Sequence, residues 1–287
     1  MRFESPATVE EATHLLANAD GTTRVLAGGT DVLVQLRLGL VKPDLVVDIK
    51  NIEGMRSIVA EDGGYRIGAA VSGAEMGEHE GLVALWPGVV EAMELVGSTQ
   101  VQGRATLAGN LCNASPAADS VPAMIAANAI ATIEGPLGLR LLPVEEVPAG
   151  PGKTTLSKGE IITSIFLPAR PKRSGDAYLR FIPRTEMDIA VASAGVSLSL
   201  DADGTIETAR VAIGAVAPTA LLVEEAGTAL IGAGLDDKAV ATMVAAVRAA
   251  CNPISDKRGT AEFRTKTAGV MAKRAAEIAF ARAGGTK

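Results

Sequence analysis

Hydrophobic and polar positions follow two different periods along this chain, and the alternation between them predicts an α+β protein. Residues 5 to 18 carry Val9, Ala12, Leu15 and Leu16 on one helical stripe, and Thr8 followed by Glu11 has the spacing of a capping box. Thr23 to Ala27 reads as a short buried strand, Val32 to Leu38 as a helix ending near Gly39, and Leu45 to Ile49 as a second strand, which together make a small βαβ unit. Beyond residue 55 the pattern changes. Asp62-Gly63-Gly64 predicts a hairpin turn between Ile58 and Tyr65–Ala70, and a helix is expected from Pro87 to Leu95. The stretch from Gly97 to Ala118 is rich in Gly, Asn, Ser and Thr, shows no period, and reads as a long irregular segment of the kind that carries function. A helix-like apolar run follows, then strands near Ala131–Ile133 and Ile161–Leu167.

Pro168 to Gly175 (PARPKRSG) is the best linker candidate, since it is rich in proline and basic residues and the patterning resets after it. This divides the chain into residues 1–175, with subdomains of about 1–54 and 55–175, and a smaller unit of residues 176–287. In that second unit Ala190–Leu200 and Thr208–Val216 read as antiparallel strands joined by a turn at Asp201–Gly204. The C-terminus is helical, from a cap at Asp236 or Asp237 to Ala250 and again from Ala261 to Ala283, with Arg and Lys late in the run. There is no internal repeat.

Composition narrows the chemistry. Aromatic residues make up 3% of the 287 residues and the net charge is −6, which argues against a nucleic-acid surface built on stacking and basic patches. The longest apolar stretch, Val121 to Ile133, contains Pro122 and Asn128 and is too short to span a bilayer. The N-terminus has no apolar signal core, so a cytoplasmic protein is expected. Cys112 and Cys251 lie far apart and read as buried reduced thiols, and with only His14 and His79 in the chain neither a histidine-based metal site nor Ser-His-Asp chemistry is supported. Any redox role therefore requires an organic cofactor.

Two glycine-bearing segments are the candidate binding elements. Ala27-Gly28-Gly29-Thr30-Asp31 lies between a strand and a helix, where bare Cα atoms let a ligand approach backbone N–H groups and the helix start favours an anion. Thr106-Leu107-Ala108-Gly109-Asn110, continuing through Ser115 to Asp119, exposes further N–H groups and adds side-chain donors and acceptors. Taken singly, the first also fits a tight turn with Thr30 or Asp31 as a plain helix cap, and the second an ordinary surface loop. Neither is a G-x-G-x-x-G or P-loop signature, and Gly152-Lys153-Thr154 follows prolines rather than a strand and reads as linker. Two anion-cradling loops about 80 residues apart suit a diphosphate gripped from both sides.

The pair AGGTD and TLAGN…SPAAD resembles the two flavin-binding loops of the FAD subunits of molybdenum hydroxylases. That family includes the medium subunit of aerobic carbon monoxide dehydrogenase, the type this chain resembles most, and the FAD domain of xanthine dehydrogenase. Gly97 to Arg104, Arg180 to Ala190, and the tail from Ile254 through Asp256-Lys257-Arg258-Gly259-Thr260-Ala261-Glu262-Phe263-Arg264 resemble further family segments in the same order, so the likeness covers almost the whole chain. It implies a two-subdomain FAD-binding domain of the vanillyl-alcohol oxidase or PCMH type, followed by a smaller α+β domain of antiparallel sheet and helices.

The resemblance also implies roles. Ala27, Gly28, Gly29, Thr30 and Asp31 would hold the FAD diphosphate from one side, and Thr106, Gly109 and Asn110 from the other, with Ser115 supplying a further polar group. Asp119 would bind ribityl or ribose hydroxyls, Ile162 would offer backbone contacts, and Arg180 would lie where relatives place a lysine near the flavin. Ile189 would pack against the isoalloxazine ring, as in NAD-using relatives, where others have tyrosine. Ala108 replaces a family glycine and so must avoid positive φ. No cysteine-rich insertion for an extra iron–sulfur cluster is present, and no catalytic acid, base or metal ligand is implied. The implied partners are a large molybdopterin-binding subunit and a small subunit with two iron–sulfur clusters, assembled as a dimer of heterotrimers. Two alternatives stand beside this reading: a free-standing FAD oxidoreductase of the vanillyl-alcohol oxidase type, and a flavin-free scaffold.

Overall fold

A computed structural model describes residues 1–286. The first unit contains β1 (Arg2–Glu4), α1 (Val9–Asn18), β2 (Thr23–Leu26), α2 (Val32–Arg37) and β3 (Leu45–Asp48), with the strands parallel in the order β1-β3-β2. Thr8 caps α1 by accepting the Glu11 N–H at 3.1 Å, but the Glu11 carboxylate takes the N–H of Ala7 rather than that of Thr8, so the expected reciprocal box is shifted by one residue. The central strand β3 is buried at every position, as its unbroken Leu-Val-Val run requires.

The second unit begins with the hairpin of β4 (Ile58–Glu61) and β5 (Gly64–Gly68), whose turn places Asp62 and Gly63 at positive φ. A helical layer follows: α3 (Gly73–Gly77), α4 (Glu80–Leu85), α5 (Pro87–Glu94), α6 (Thr99–Gln102), α7 (Leu107–Cys112) and α8 (Ser120–Ala126). Thus the segment from Gly97 to Ala118 is not a long irregular loop. It holds two short helices, too brief to show an amphipathic period. Thr106 starts α7 by accepting the Gly109 N–H at 2.9 Å. The unit closes with β6 (Ile130–Gly135), β7 (Gly138–Pro143), a 3-10 turn at Val144–Glu146, the small hairpin of β8 (Pro148–Gly150) and β9 (Lys153–Thr154), and β10 (Ile161–Leu167). The antiparallel order β4-β5-β10-β6-β7 puts the last strand of the unit at its centre.

The third unit is an antiparallel sheet, β11 (Ser174–Phe181), β12 (Ala192–Leu200), β13 (Ile206–Gly214) and β14 (Leu221–Leu222), in sequential order. It is covered by α9 (Glu224–Thr228), α10 (Asp237–Ala250) and α11 (Ala261–Arg282). Asp236 and Thr260 cap the last two helices through their side chains. The apolar interior falls into two clusters, one drawn almost wholly from residues 12 to 167 and one from residues 177 to 283.

The linker candidate, Pro168 to Gly175, is tied down at both ends. Ser174 and Gly175 already belong to β11, and Arg170 is buried, stacked over Trp86 at 4.4 Å and paired with Asp176 at 2.7 Å. Aromatic stacking, the Leu85 carbonyl and the Asp176 carboxylate engage a guanidinium that composition alone assigns to solvent. The two units meet closely where α8 crosses β12. A side chain at Gly195 would stand 2.6 Å from the Pro122 carbonyl oxygen. No helix among the described residues is long and apolar enough to cross a membrane.

Candidate cofactor site between two glycine-bearing loops

A cavity of about 680 Å³ opens between the first unit and the second, within the range of about 300–1,000 Å³ usual for small-molecule and cofactor sites. Its two opposing walls are the glycine segments. Ala27, Gly28, Gly29, Thr30 and Asp31 form one, and Thr106, Gly109 and Asn110 form the other, with Ile162 at the start of β10 between them.

The local sequence explains why these walls meet. Strand β2 delivers Gly28 against the backbone just before α7, so tightly that a Cβ there would stand 1.9 Å from the carbonyl oxygen of Arg104. Only a residue without a side chain fits. Gly29 follows with φ +81°, the left-handed region that glycine adopts without strain. That reversal leaves the N–H groups of Gly28, Gly29, Thr30 and Asp31 with no acceptor among the described residues, while Leu33 already donates to the Gly29 carbonyl as α2 begins. Gly28, Gly29 and Thr30 are half-buried and Asp31 is exposed, and a run of four N–H groups without a protein acceptor on a cavity wall suits an acceptor-rich ligand.

On the second wall, the Thr106 hydroxyl and carbonyl are engaged by Gly109 and Asn110 N–H groups at 2.9 Å each. The N–H group of Ala108 is therefore the open donor on this wall among the described residues, rather than that of Gly109. Ala108 is helical and has no positive φ, so the loss of the family glycine costs no strain. The Asn110 side-chain oxygen is held by Ser120, from N–H at 3.2 Å and from hydroxyl at 2.7 Å, which fixes the amide at the cavity edge. Gln35 on α2 reaches Asn113 at 3.4 Å and ties the walls together. Burial raises the Asp31 carboxyl above its ordinary value and pushes the Cys112 thiol up to about 12.

Four expected residues lie elsewhere. Ser115 turns its hydroxyl to the N–H of Ala117 at 3.3 Å. Asp119, expected to meet sugar hydroxyls, is off the cavity wall. One of its oxygens accepts the Tyr178 hydroxyl at 2.7 Å and the other pairs with Arg180 at 2.6 Å, forming a buried bridge from the second unit to the third. Burial raises the Asp119 carboxyl, against the opposing pull of Arg180 and Tyr178. Arg180 is thereby committed to an ion pair. Ile189 is 54% exposed on the loop joining β11 to β12. Conversely, the cavity wall includes Arg24 and the segment from Leu156 to Ile161, together with Gly152 and Thr154 from the β8–β9 hairpin that had read as linker. The Gly152 N–H donates to the Ala114 carbonyl at 3.0 Å, which folds that hairpin over the second loop. The GPGKT-like composition held no periodic signal by which to find it.

This cradle matches a flavoprotein class. The family described as FAD binding domain in molybdopterin dehydrogenase matches residues 1–170, and the CO dehydrogenase flavoprotein C-terminal domain matches residues 177–279. The chain belongs to this family of FAD-binding subunits of molybdenum-containing dehydrogenases. It is 34% identical to the carbon monoxide dehydrogenase medium chain of Afipia carboxidovorans, over 98% of this chain and 97% of that one. It is 32% identical to the xanthine dehydrogenase FAD-binding subunit of Escherichia coli O157:H7, over 99% and 97%. The fold superimposes on carbon monoxide dehydrogenase from Hydrogenophaga pseudoflava with a TM-score of 0.93 and 33% identity, covering 98% of this chain and 97% of that chain.

Proposed function

We propose that the cavity holds the FAD diphosphate between the free N–H groups of Gly28 to Asp31 and that of Ala108 at the start of α7, and that the chain serves as the electron-transfer subunit of a molybdenum hydroxylase. The observation that carries this is the run of four unpartnered N–H groups facing a second glycine-bearing wall across one cavity. Within this reading Asp31 contributes its N–H to the anion and its carboxylate, an acceptor, to hydroxyl groups. Thr30 supplies a hydroxyl donor, Asn110 a fixed amide, and Ile162 a wall of β10. Ser115, Asp119 and Arg180 sit behind the second loop and hold it, and the family resemblance assigns Ile189, which is off the cavity wall on the β11–β12 loop, to the isoalloxazine ring.

Bound FAD supplies the redox chemistry that links a partner's iron–sulfur clusters to an external oxidant. The chain's residues bind and orient the cofactor and exclude water from the cavity, and none acts as an acid or base. A large molybdopterin-binding subunit and a small two-cluster iron–sulfur subunit complete the assembly, as a dimer of heterotrimers in the cytoplasm. The division of the apolar interior supports a domain junction between Leu167 and Ala177, with β11 beginning at Ser174.

The test is purification of the full chain alone and with the products of its neighbouring genes. Flavin absorbance at one equivalent per chain, and co-elution with a molybdenum protein, are expected. A chain that binds FAD tightly yet turns over a substrate without partners would instead support a free-standing oxidoreductase.

A further inference from the structure

Helix α2 has one side on the cavity and the other in solvent, and none of its residues is buried. Its inner side is polar at Gln35, which lines the cavity and reaches Asn113 at 3.4 Å. Its outer side is apolar. Leu33, Val34 and Leu38 are 51%, 53% and 66% exposed, and Leu40, just past the helix end, is 71% exposed. Val34 and Leu38 lie one turn apart and share a face. The helix ends at Gly39, at φ +69°, with the Gly39 N–H donating to the Leu36 carbonyl at 3.1 Å and the Leu40 N–H to the Gln35 carbonyl at 2.9 Å. An ending of this kind ordinarily packs the residue after the glycine against an apolar residue of the last turn. Here the accepting residue is Gln35, turned to the cavity, so Leu40 runs from the cavity rim into solvent. Single exposed apolar side chains are ordinary, but four within the stretch 33–40 make a patch of the order of a few hundred Å², the size that marks an interaction site.

Charge says what kind of surface covers this patch. From Val32 to Pro43 the chain carries Arg37 and Lys42 and no carboxylate, in a protein of net charge −6. Both cations are exposed, and neither has an ion-pair partner among the described residues. The next carboxylate, Asp44, is turned back to accept the Thr22 N–H at 2.8 Å. An apolar centre edged by unpaired cations complements a protein face that is apolar and rimmed by carboxylates. Two cations are too few to hold a nucleic acid or an anionic bilayer.

We propose that the outer face of α2 is the docking surface for the subunit that delivers electrons to the bound cofactor, an iron–sulfur protein presenting an apolar face rimmed by carboxylates. This rests on the reading of the chain as an electron-transfer subunit with FAD in the cavity. Electrons must arrive where the cofactor is reached, and Leu40 places the patch on the rim of that cavity. A standard interface covers roughly 800 Å² on each partner, so the patch forms its apolar centre, with Arg37 and Lys42 on the surrounding polar rim.

The test measures the Kd between the full-length chain and the small iron–sulfur subunit encoded beside it, at several salt concentrations. Leu38→Gln and Arg37→Glu alter the patch without touching the cavity wall, and Ile231→Gln, at a lone apolar residue 51% exposed in the third unit, is the control. Thermal midpoints should stay at the wild-type value, since no α2 side chain supports either apolar cluster. Leu38→Gln is expected to weaken binding tenfold or more, and Ile231→Gln to stay within twofold of wild type. Arg37→Glu should weaken it severalfold at low salt, by a factor that shrinks as salt rises. Unchanged affinity in Leu38→Gln, an equal loss in Ile231→Gln, or a wild-type affinity indifferent to salt each overturns the proposal. So does a dimer of the chain alone that Leu38→Gln disperses, since the face then belongs to a second copy. A wild-type chain that turns over a substrate alone and binds no iron–sulfur subunit defeats the underlying reading instead, so the two failures are told apart.

Discussion

Gly28→Ala is the sharpest perturbation of the candidate site. The added Cβ would fall 1.9 Å from the Arg104 carbonyl oxygen and 2.7 Å from its carbon, both backbone atoms that no rotamer change can move. Ordinary contact at this position begins at about 3.4 Å, so the two walls must separate by about 1.5 Å. Overpacking of this kind costs roughly 1–3 kcal/mol. In the apo chain the strain is relieved by opening the cavity, and binding must close it again, so the cost falls on affinity. At 1.4 kcal/mol per factor of ten, FAD should bind roughly 5- to 150-fold more weakly. Gly234→Ala is the control, because nothing lies within 4 Å of a Cβ there and its φ is not positive. The assay is titration of apo chain with FAD, with the flavin-to-protein ratio after desalting as a second measure. An unchanged Kd in Gly28→Ala, at a thermal midpoint close to wild type, would refute the argument that the two walls close on the cofactor.

Asp119→Asn should leave Arg180 as an uncompensated buried charge, a loss of roughly 3–5 kcal/mol that lowers the apo midpoint by about 10 °C. Tyr178→Phe should cost about 1 kcal/mol. Calorimetry of apo and loaded protein decides the role, since a loss confined to the loaded form would make Asp119 a cofactor ligand. Arg140 holds the Glu160 carboxyl below its ordinary 4.5, so the stability from this pair is complete above that value and disappears as pH falls through the lower folded one. Glu160→Gln should remove that portion of the acid sensitivity, read as thermal midpoint against pH. Burial pushes the Cys112 thiol up to about 12 and that of Cys251 to about 11, so neither should react readily with a disulfide reagent at pH 8 until the chain unfolds. Rapid labelling of native Cys112 would show that the cavity admits reagent and solvent freely.

What the sequence reveals is local, and what it hides is long-range. Helices α1 and α10 announce themselves through Thr8 and Asp236, each a cap whose partner lies three residues on, α11 through its long run from Ala261, and the β4–β5 turn is written in Asp62-Gly63. The two walls of the cavity are legible because bare Cα atoms and a capping threonine leave a compositional trace. The β8–β9 hairpin leaves none, since β9 is two residues long and its position depends on one bond from Gly152 to Ala114. Strand β11 escapes notice because it follows prolines and carries Asp176 and Arg180 at buried positions, where no alternating pattern forms. Those charges make sense only beside Arg170 and Asp119, which the fold supplies from elsewhere in the chain. Asp119 itself reads as a ligand because it follows a binding loop, and nothing in its neighbours in sequence foretells Tyr178 and Arg180.

Three of the ion pairs between the units share a direction of charge that bears on how the site is held. Arg180, Arg210 and Arg282 lie in the third unit, and their carboxylate partners Asp119, Glu145 and Glu91 lie in the second. Arg210 also donates to the Ile125 carbonyl, and Arg282 to that of Asp176. None of these pairs adds much net stability: desolvation offsets most of the attraction in the buried Arg180–Asp119 pair, and solvent screens the more exposed Arg210–Glu145 and Arg282–Glu91 pairs. Their effect is geometric. The close packing of α8 on β12 defines contact, yet hydrophobic contact is non-directional. Planar guanidinium groups accept only a narrow range of approach. Three such groups at separate points suffice to fix the orientation of one unit on the other. Because Asp119 follows directly on the second glycine wall while Arg180 leads into the β11–β12 loop, that orientation also fixes where the loop sits relative to the cavity wall.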